Sequence, residues 1–186
     1  LRTTREPMVG QMRLTWWHTA LTALDSAPPP AQPVLQALAD SVVGSGISGT
    51  QLAAMIDGWE ALLEAEAIDA AALQLHATAR GRGLFVAAQA LLEAPPRDPV
   101  GAAGEGWALA DLARNVRDPE TARRIAAAAS TAIGAATAVR WSRAGRALGA
   151  LAQLARMDLA VPLDAAVPRG SPARVARLAL HRITGR

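Results

Sequence analysis

The chain has 186 residues, enough for one domain that buries roughly 70% of its unfolded surface. Its apolar half is Ala, Leu and Val with five Trp, one Phe and no Tyr, a palette that favours helices over strands. Disulfides and thiolate metal sites are excluded by the lack of cysteine, and Arg, Asp or Gly interrupts every long apolar stretch, so no membrane span is expected.

A net charge of +3 hides an uneven distribution: residues 1–120 carry 8 Arg and 14 acidic residues, residues 121–186 carry 11 Arg and 2 acidic residues. A basic final third can meet phosphates, anionic lipid or an acidic protein, and a solvated face explains it too. Every basic residue is Arg and none is Lys, as GC-rich coding would give, so the charge is no argument for nucleic acid, and no nucleic-acid partner is expected. No secretory leader is read at the start. The expected location is cytoplasmic, with peripheral membrane contact left open.

In chain order, Leu14, Trp17, Leu21 and Leu24 predict a helix over 9–25, with Pro7 near its start. Pro33 opens a second helix with a stripe of Val34, Leu35, Leu38 and Val42. After the loop Gly44 to Gly49, Ser48 and Gln51 form a capping-box pattern for a third helix bearing Leu52, Met55, Ile56, Trp59, Leu62 and Leu63 on one face. Asp69 caps a fourth helix to about Leu92, with Gly81 and Gly83 inside it signalling close packing or a kink. Asp98-Pro99 and Asp118-Pro119 each read as an N-cap followed by Pro at the first helical position, opening a fifth and a sixth helix. Ile125, Ala129, Ala132, Ile133, Ala136 and Val139 line the sixth, and a stretch through Leu148, Leu151 and Leu154 reads as its continuation or a separate helix. Ser171-Pro172 caps a last helix with Val175, Leu178, Ala179 and Ile183 as its apolar stripe. The expected fold is an all-α, single-domain bundle of seven or eight helices, with residues 162–186 docking loosely.

The motifs that carry chemistry are incomplete. Gly44 to Gly49 matches G-x-G-x-x-G, but no strand precedes it and no second strand follows, so an interhelical loop is expected. Gly101, Gly104 and Gly106 read as close helix packing. His18, His76 and His181 are far apart and no G-x-S-x-G elbow exists, which leaves hydrolase and zinc readings without support. Asp57, Glu60 and Glu64 share one stripe of the third helix, and Asp111 and Asn115 share a face of the fifth with Asp118 three residues on. Either set can offer oxygens to Mg²⁺ if a facing helix supplies more. A solvated acidic face and helix capping by Asp118 are the competing uses. Arg13 is spaced to stack on Trp16 or Trp17.

The run from Glu6 to Trp17 (Glu-Pro-Met-Val-Gly-Gln-Met-Arg-Leu-Thr-Trp-Trp), followed by the proline-rich turn Pro28 to Val34, resembles bacterial squalene/phytoene-synthase-like proteins. Met55 to Leu63 and His76 to Leu92 look like the family's next two helices, with His76 where Tyr is frequent. Gly104 to Asn115 resembles the helix that carries the second aspartate-rich motif. The resemblance implies an isoprenoid synthase (class I terpenoid synthase) fold, N-terminally shortened. It also implies Mg²⁺ held by two aspartate-rich motifs against prenyl diphosphates that are joined head to head.

On that resemblance Arg13, Trp17, His76 and Arg114 are candidate substrate-binding residues. Asp111, Asn115 and Asp118 are candidate metal ligands, with Asp57, Glu60 and Glu64 as a second set. The family's N-x-x-R-D-x-x-x-D pattern reads here as Asp111 to Pro119, with Asn and Asp exchanged and the last Asp replaced by Pro. The first motif would precede Glu6 and does not occur in the chain. The leading expectation is a degenerate member that binds a prenyl or lipid ligand or assists assembly of another protein. A divergent Mg²⁺-dependent prenyltransferase is the rival. A third reading is a helical adaptor that holds an acidic partner with Arg123, Arg124, Arg140, Arg143 and Arg146.

Overall fold

The computed structural model describes residues 7–65 and 67–186; Glu6, where the resembling run begins, lies outside them. Among the described residues the chain is helical, in the order α1 (Pro7–Ala23), α2 (Pro33–Ser41), α3 (Gly49–Glu64), α4 (Ala70–Leu75), a π-helical turn (His76–Arg82), α5 (Gly83–Leu91), α6 (Val100–Ala113), α7 (Pro119–Ala138), α8 (Arg146–Leu159) and α9 (Pro172–Thr184). An isolated bridge between Val43 and Ile47 is the β-type pairing they contain.

Local sequence sets several helix starts. Ser48 and Gln51 close a full capping box on α3, Asp69 accepts from Ala72 N–H at the start of α4, and Asp118 accepts from Thr121 N–H before Pro119 opens α7. The loop between α2 and α3 passes through Gly44 (φ 92°) and Gly46 (φ 83°), left-handed positions that favour glycine, as an interhelical turn requires. There the Asp25 carboxylate accepts from Gly49 N, Thr50 N and Thr50 Oγ1, three donors that hold it below the usual carboxylate range.

Two apolar cores organise the bundle. The smaller joins α1, α2 and α3 through Leu21, Leu24, Leu35, Ile47, Leu52 and Ala53. The larger joins the α4–π–α5 rod to α6, α7 and α8 through Phe85, Leu109, Ile125, Ile133, Trp141 and Leu148, among others. Small residues let the central rods touch. A Cβ on Gly104 would lie 2.3 Å from the Gly81 carbonyl oxygen, and one on Gly106 would lie 2.6 Å from Ile133. The glycine cluster of α6 is thus a packing surface, as its spacing suggests.

Several expectations are corrected. Asp98 does not cap α6, which begins at Val100 without a side-chain cap. The Asp98 carboxylate is buried and accepts from Ser142 N (2.9 Å) and Ser142 Oγ (2.5 Å), joining the start of α6 to the turn before α8. Ser171 precedes Pro172 at the start of α9 without a side-chain capping bond. Val34 is half exposed, so the stripe of α2 narrows to Leu35 with Leu38 and Val42 beside it. The sixth helix and the stretch after it are not continuous: the chain leaves α7 at Val139 and buries Trp141, whose Nε1 donates to Ala136 O.

The final segment, expected to dock loosely, is anchored along its length. Arg174 pairs with Asp158, Arg177 Nε donates to Gln153, His181 Nε2 donates to Arg146 O, and Trp141 N–H donates to Gly185 O. α9 also faces the opposite way from its predicted stripe. Arg174 and His181 are buried, whereas Val175 (61% exposed), Leu180 and Ile183 (75% exposed) point outward.

Candidate binding cleft

A cleft of about 680 Å³ lies between α6, α8 and the connection that runs from Leu159 to Pro172. Leu151, Leu154, Leu163 and Val167 make its apolar wall, and Trp107 closes one side. Its polar lining includes Asp111, Asp158, Arg169 and Arg174. The Nε of Arg174 is buried without a hydrogen-bond partner, although its Nη1 pairs with Asp158. An apolar wall beside arginines suits an anion with a hydrocarbon tail.

A second polar group stands behind Trp107. The Arg80 guanidinium lies 5.1 Å from the Trp107 ring and 5.9 Å from the Trp59 ring. Burial pushes its pKa down, and the Asp111 carboxylate opposes that shift. His76 is buried against Trp59 in an edge-to-face pair at 4.8 Å, with Nδ1 2.9 Å from the Gly58 carbonyl oxygen. A carbonyl only accepts, so Nδ1 carries the proton. Burial drives the His76 pKa below its usual value. Arg80 escaped the sequence reading. Its only local signal is an arginine four residues after His76, and its partners come from helices 21 and 27 residues away.

The candidate residues do not come together as one site. Arg13 is exposed on α1. Trp17 packs on the smaller core and meets Trp16 edge-on at 5.1 Å, and neither Arg13 nor Trp17 lines the cleft. Arg114 lines the cleft, but its guanidinium donates to the carbonyls of Asp158 (2.5 Å), Val161 (2.8 Å), Ala165 (3.2 Å) and Pro162 (3.4 Å). One of these carbonyls is in the last turn of α8 and three lie beyond its end, so Arg114 ties the connection after α8 to the end of α6.

Asp111 and Asn115 line the cleft, and the Asn115 amide donates to Asp111 O at 2.6 Å. Asp118 is exposed and its carboxylate caps α7, which holds it below the usual carboxylate range. On α3, Asp57 lies 3.9 Å from His18 and Glu64 accepts from Gln11 at 3.3 Å, so the ends of the acidic stripe with Glu60 at its centre meet the polar side of α1. Among the described residues no group of three or more His, Cys, Asp or Glu is placed to hold a metal ion. These side chains do not fit Mg²⁺, which asks for several convergent hard oxygens.

The five arginines of the adaptor reading do not form one face. Arg123 and Arg124 sit in the first turns of α7, whereas Arg140, Arg143 and Arg146 follow its far end, and a helix of 20 residues is about 30 Å long. Several are tied to backbone: Arg124 donates to Ile68 O, Arg140 to Thr184 O and Arg146 to Arg182 O.

The family model of squalene/phytoene synthase matches residues 2–169. No curated protein and no solved structure shows a significant match to the chain. Among the described residues no helix is long and apolar enough to cross a membrane.

Proposed function

The chain belongs to the squalene/phytoene synthase family, an all-α fold of the isoprenoid synthase type, and from that premise we propose that it binds a prenyl diphosphate or similar anionic lipid without metal-dependent transfer. The observation that carries this reading is the cleft beside α6, with its leucine wall and its lining by Arg169 and Arg174. Its hydrocarbon-sized apolar side takes the tail and its arginines take the anionic head. Loss of transfer is supported by how the family-motif positions are used. Asp118 is spent on capping, Asn115 is neutral, and Asp111 is left as the one carboxylate of the three at the cleft. Such a protein serves as a lipid-binding or assembly factor.

The test uses farnesyl diphosphate with the whole chain, with either Mg²⁺ or EDTA present. Saturating ligand at about 100 times Kd should stabilise the fold by about 2.7 kcal/mol, a rise of roughly 5–10 °C in Tm, in both conditions. Leu154→Trp, which fills the cleft, should abolish the rise, and Arg169→Ala should weaken binding. Mg²⁺-dependent release of diphosphate with a condensed hydrocarbon product would establish the rival prenyltransferase. Undiminished binding by Leu154→Trp would remove the cleft from consideration.

A further inference from the structure

The family match stops at residue 169, and α9 follows it. This helix carries an inverted amphipathic pattern. The face against α8 is polar, held by Arg174 to Asp158, Arg177 to Gln153 and His181 to the Arg146 carbonyl. The opposite face presents Val175, Ala176, Ala179, Leu180 and Ile183 to solvent. Arg182 lies at the edge of that stripe, seven residues after Val175 and so on nearly the same side of the helix.

Burial inside this chain does not explain the pattern, because the apolar residues are the ones left out. Two observations select the occupant. Residues 165–186 contain five Arg and no acidic residue; Arg174 and Arg177 turn toward α8, but Arg182 and Arg186 are exposed at the end of the stripe, and no acidic side chain of this segment opposes an anionic surface. A 13-residue helix is about 20 Å long and about 10 Å wide. Its outer face therefore offers on the order of 200 Å², well short of the roughly 800 Å² per partner that a stable dimer buries. A lipid surface sets no such minimum: aliphatic side chains enter the headgroup boundary while arginines stay among anionic headgroups.

We propose that the outer face of α9 is a docking surface for an anionic membrane, with Val175, Leu180 and Ile183 inserted and Arg182 beside them at the headgroups. It gives reversible, salt-sensitive attachment parallel to the bilayer. The inference is independent of what the cleft binds.

The experiment is co-sedimentation of the whole chain with vesicles of phosphatidylcholine alone and of phosphatidylcholine with phosphatidylglycerol. The chain should partition onto the anionic vesicles, weakly or not at all onto the neutral ones, and should release as salt rises. Val175→Ser with Ile183→Ser should reduce partition about tenfold, since both side chains are exposed and the fold does not depend on them. Arg182→Gln should reduce it less. Equal binding to neutral vesicles, unchanged binding by the double variant, or self-association through this face without vesicle binding would each overturn the proposal. The farnesyl diphosphate assay on the double variant separates the two readings, because loss of docking should leave ligand binding intact.

Discussion

Replacing glycine by alanine at two positions in adjacent helices should change stability in opposite directions. Gly134 lies in α7 with no atom within 4 Å of an added Cβ. Alanine there gains the full helix-propensity difference of about 1 kcal/mol, or about 2–4 °C in Tm for a chain of this size. Gly104 in α6 is different. Its added methyl would sit 2.3 Å from the Gly81 carbonyl oxygen, 2.8 Å from the Gly81 carbonyl carbon and 3.0 Å from Phe85 Cβ. Ordinary carbon contacts begin near 3.5 Å, so α6 must retreat by about 1 Å from a partner that is itself backbone. A gap of that size forfeits up to about half of the dispersion energy along the contact, which puts overpacking near the upper end of its usual range, about 3 kcal/mol. Set against the same propensity gain, Gly104→Ala should lose about 2 kcal/mol, or roughly 4–8 °C. Urea unfolding and calorimetry of both variants make the comparison. A Gly104→Ala chain as stable as its parent would refute the claim that the Gly81–Gly104 approach sets how closely the central rods pack, and a Gly134→Ala chain that melts lower would refute the open space read at Gly134.

Three further outcomes are expected. Asp98→Ala should cost about 2–3 kcal/mol in urea unfolding, because it strips both acceptors from the Ser142 backbone and hydroxyl at a buried site. Arg114→Ala should cost about 2 kcal/mol and open the connection after Leu159 to limited proteolysis, while Arg114→Lys, which cannot span four carbonyls, should restore little. His76 and His181 both have pKa values lowered by burial, so the unfolded chain takes up protons first as pH falls. Their contribution is therefore complete above about pH 6.5 and is lost as pH drops from there through the folded-state values. Melting temperatures from pH 7.5 to 5 should fall over that window, and the imidazole resonances of both rings in the folded chain should titrate below the ordinary histidine value; titration of either ring at or above its ordinary value contradicts this.

What was legible in the sequence was short in range. The capping box of Ser48 and Gln51, the Asp69 cap and the Asp118-Pro119 start are written within four residues, and each forms as read. Asp98-Pro99 has the same spelling as Asp118-Pro119 and a different fate, because its carboxylate meets Ser142, 44 residues later. The stripe of α9 was visible, but its direction was not. Periodicity shows that a helix has two faces; which face turns inward depends on partners such as Asp158 and Gln153. The family was readable from α1 and the turn after it, and the departure of Asn115 and Pro119 from its motif was readable too. The clamp of Arg80 between Trp59 and Trp107 was not, since three separate helical segments build it.

The π-helical turn from His76 to Arg82 sets the phase between two surfaces. At its start, the rod must aim His76 at the Gly58 carbonyl on α3. After it, the same rod must aim Phe85 at Trp107 on α6. A uniform α-helix advances about 100° per residue, and a π turn accommodates one residue more than that winding allows. Wound as an uninterrupted α-helix, the same residues would turn every side chain beyond this point by about 100° and carry Phe85 off its partner, so the turn absorbs one residue and keeps both faces in register. The irregular turn lets one continuous rod mesh with two neighbours that an evenly wound one could not serve together.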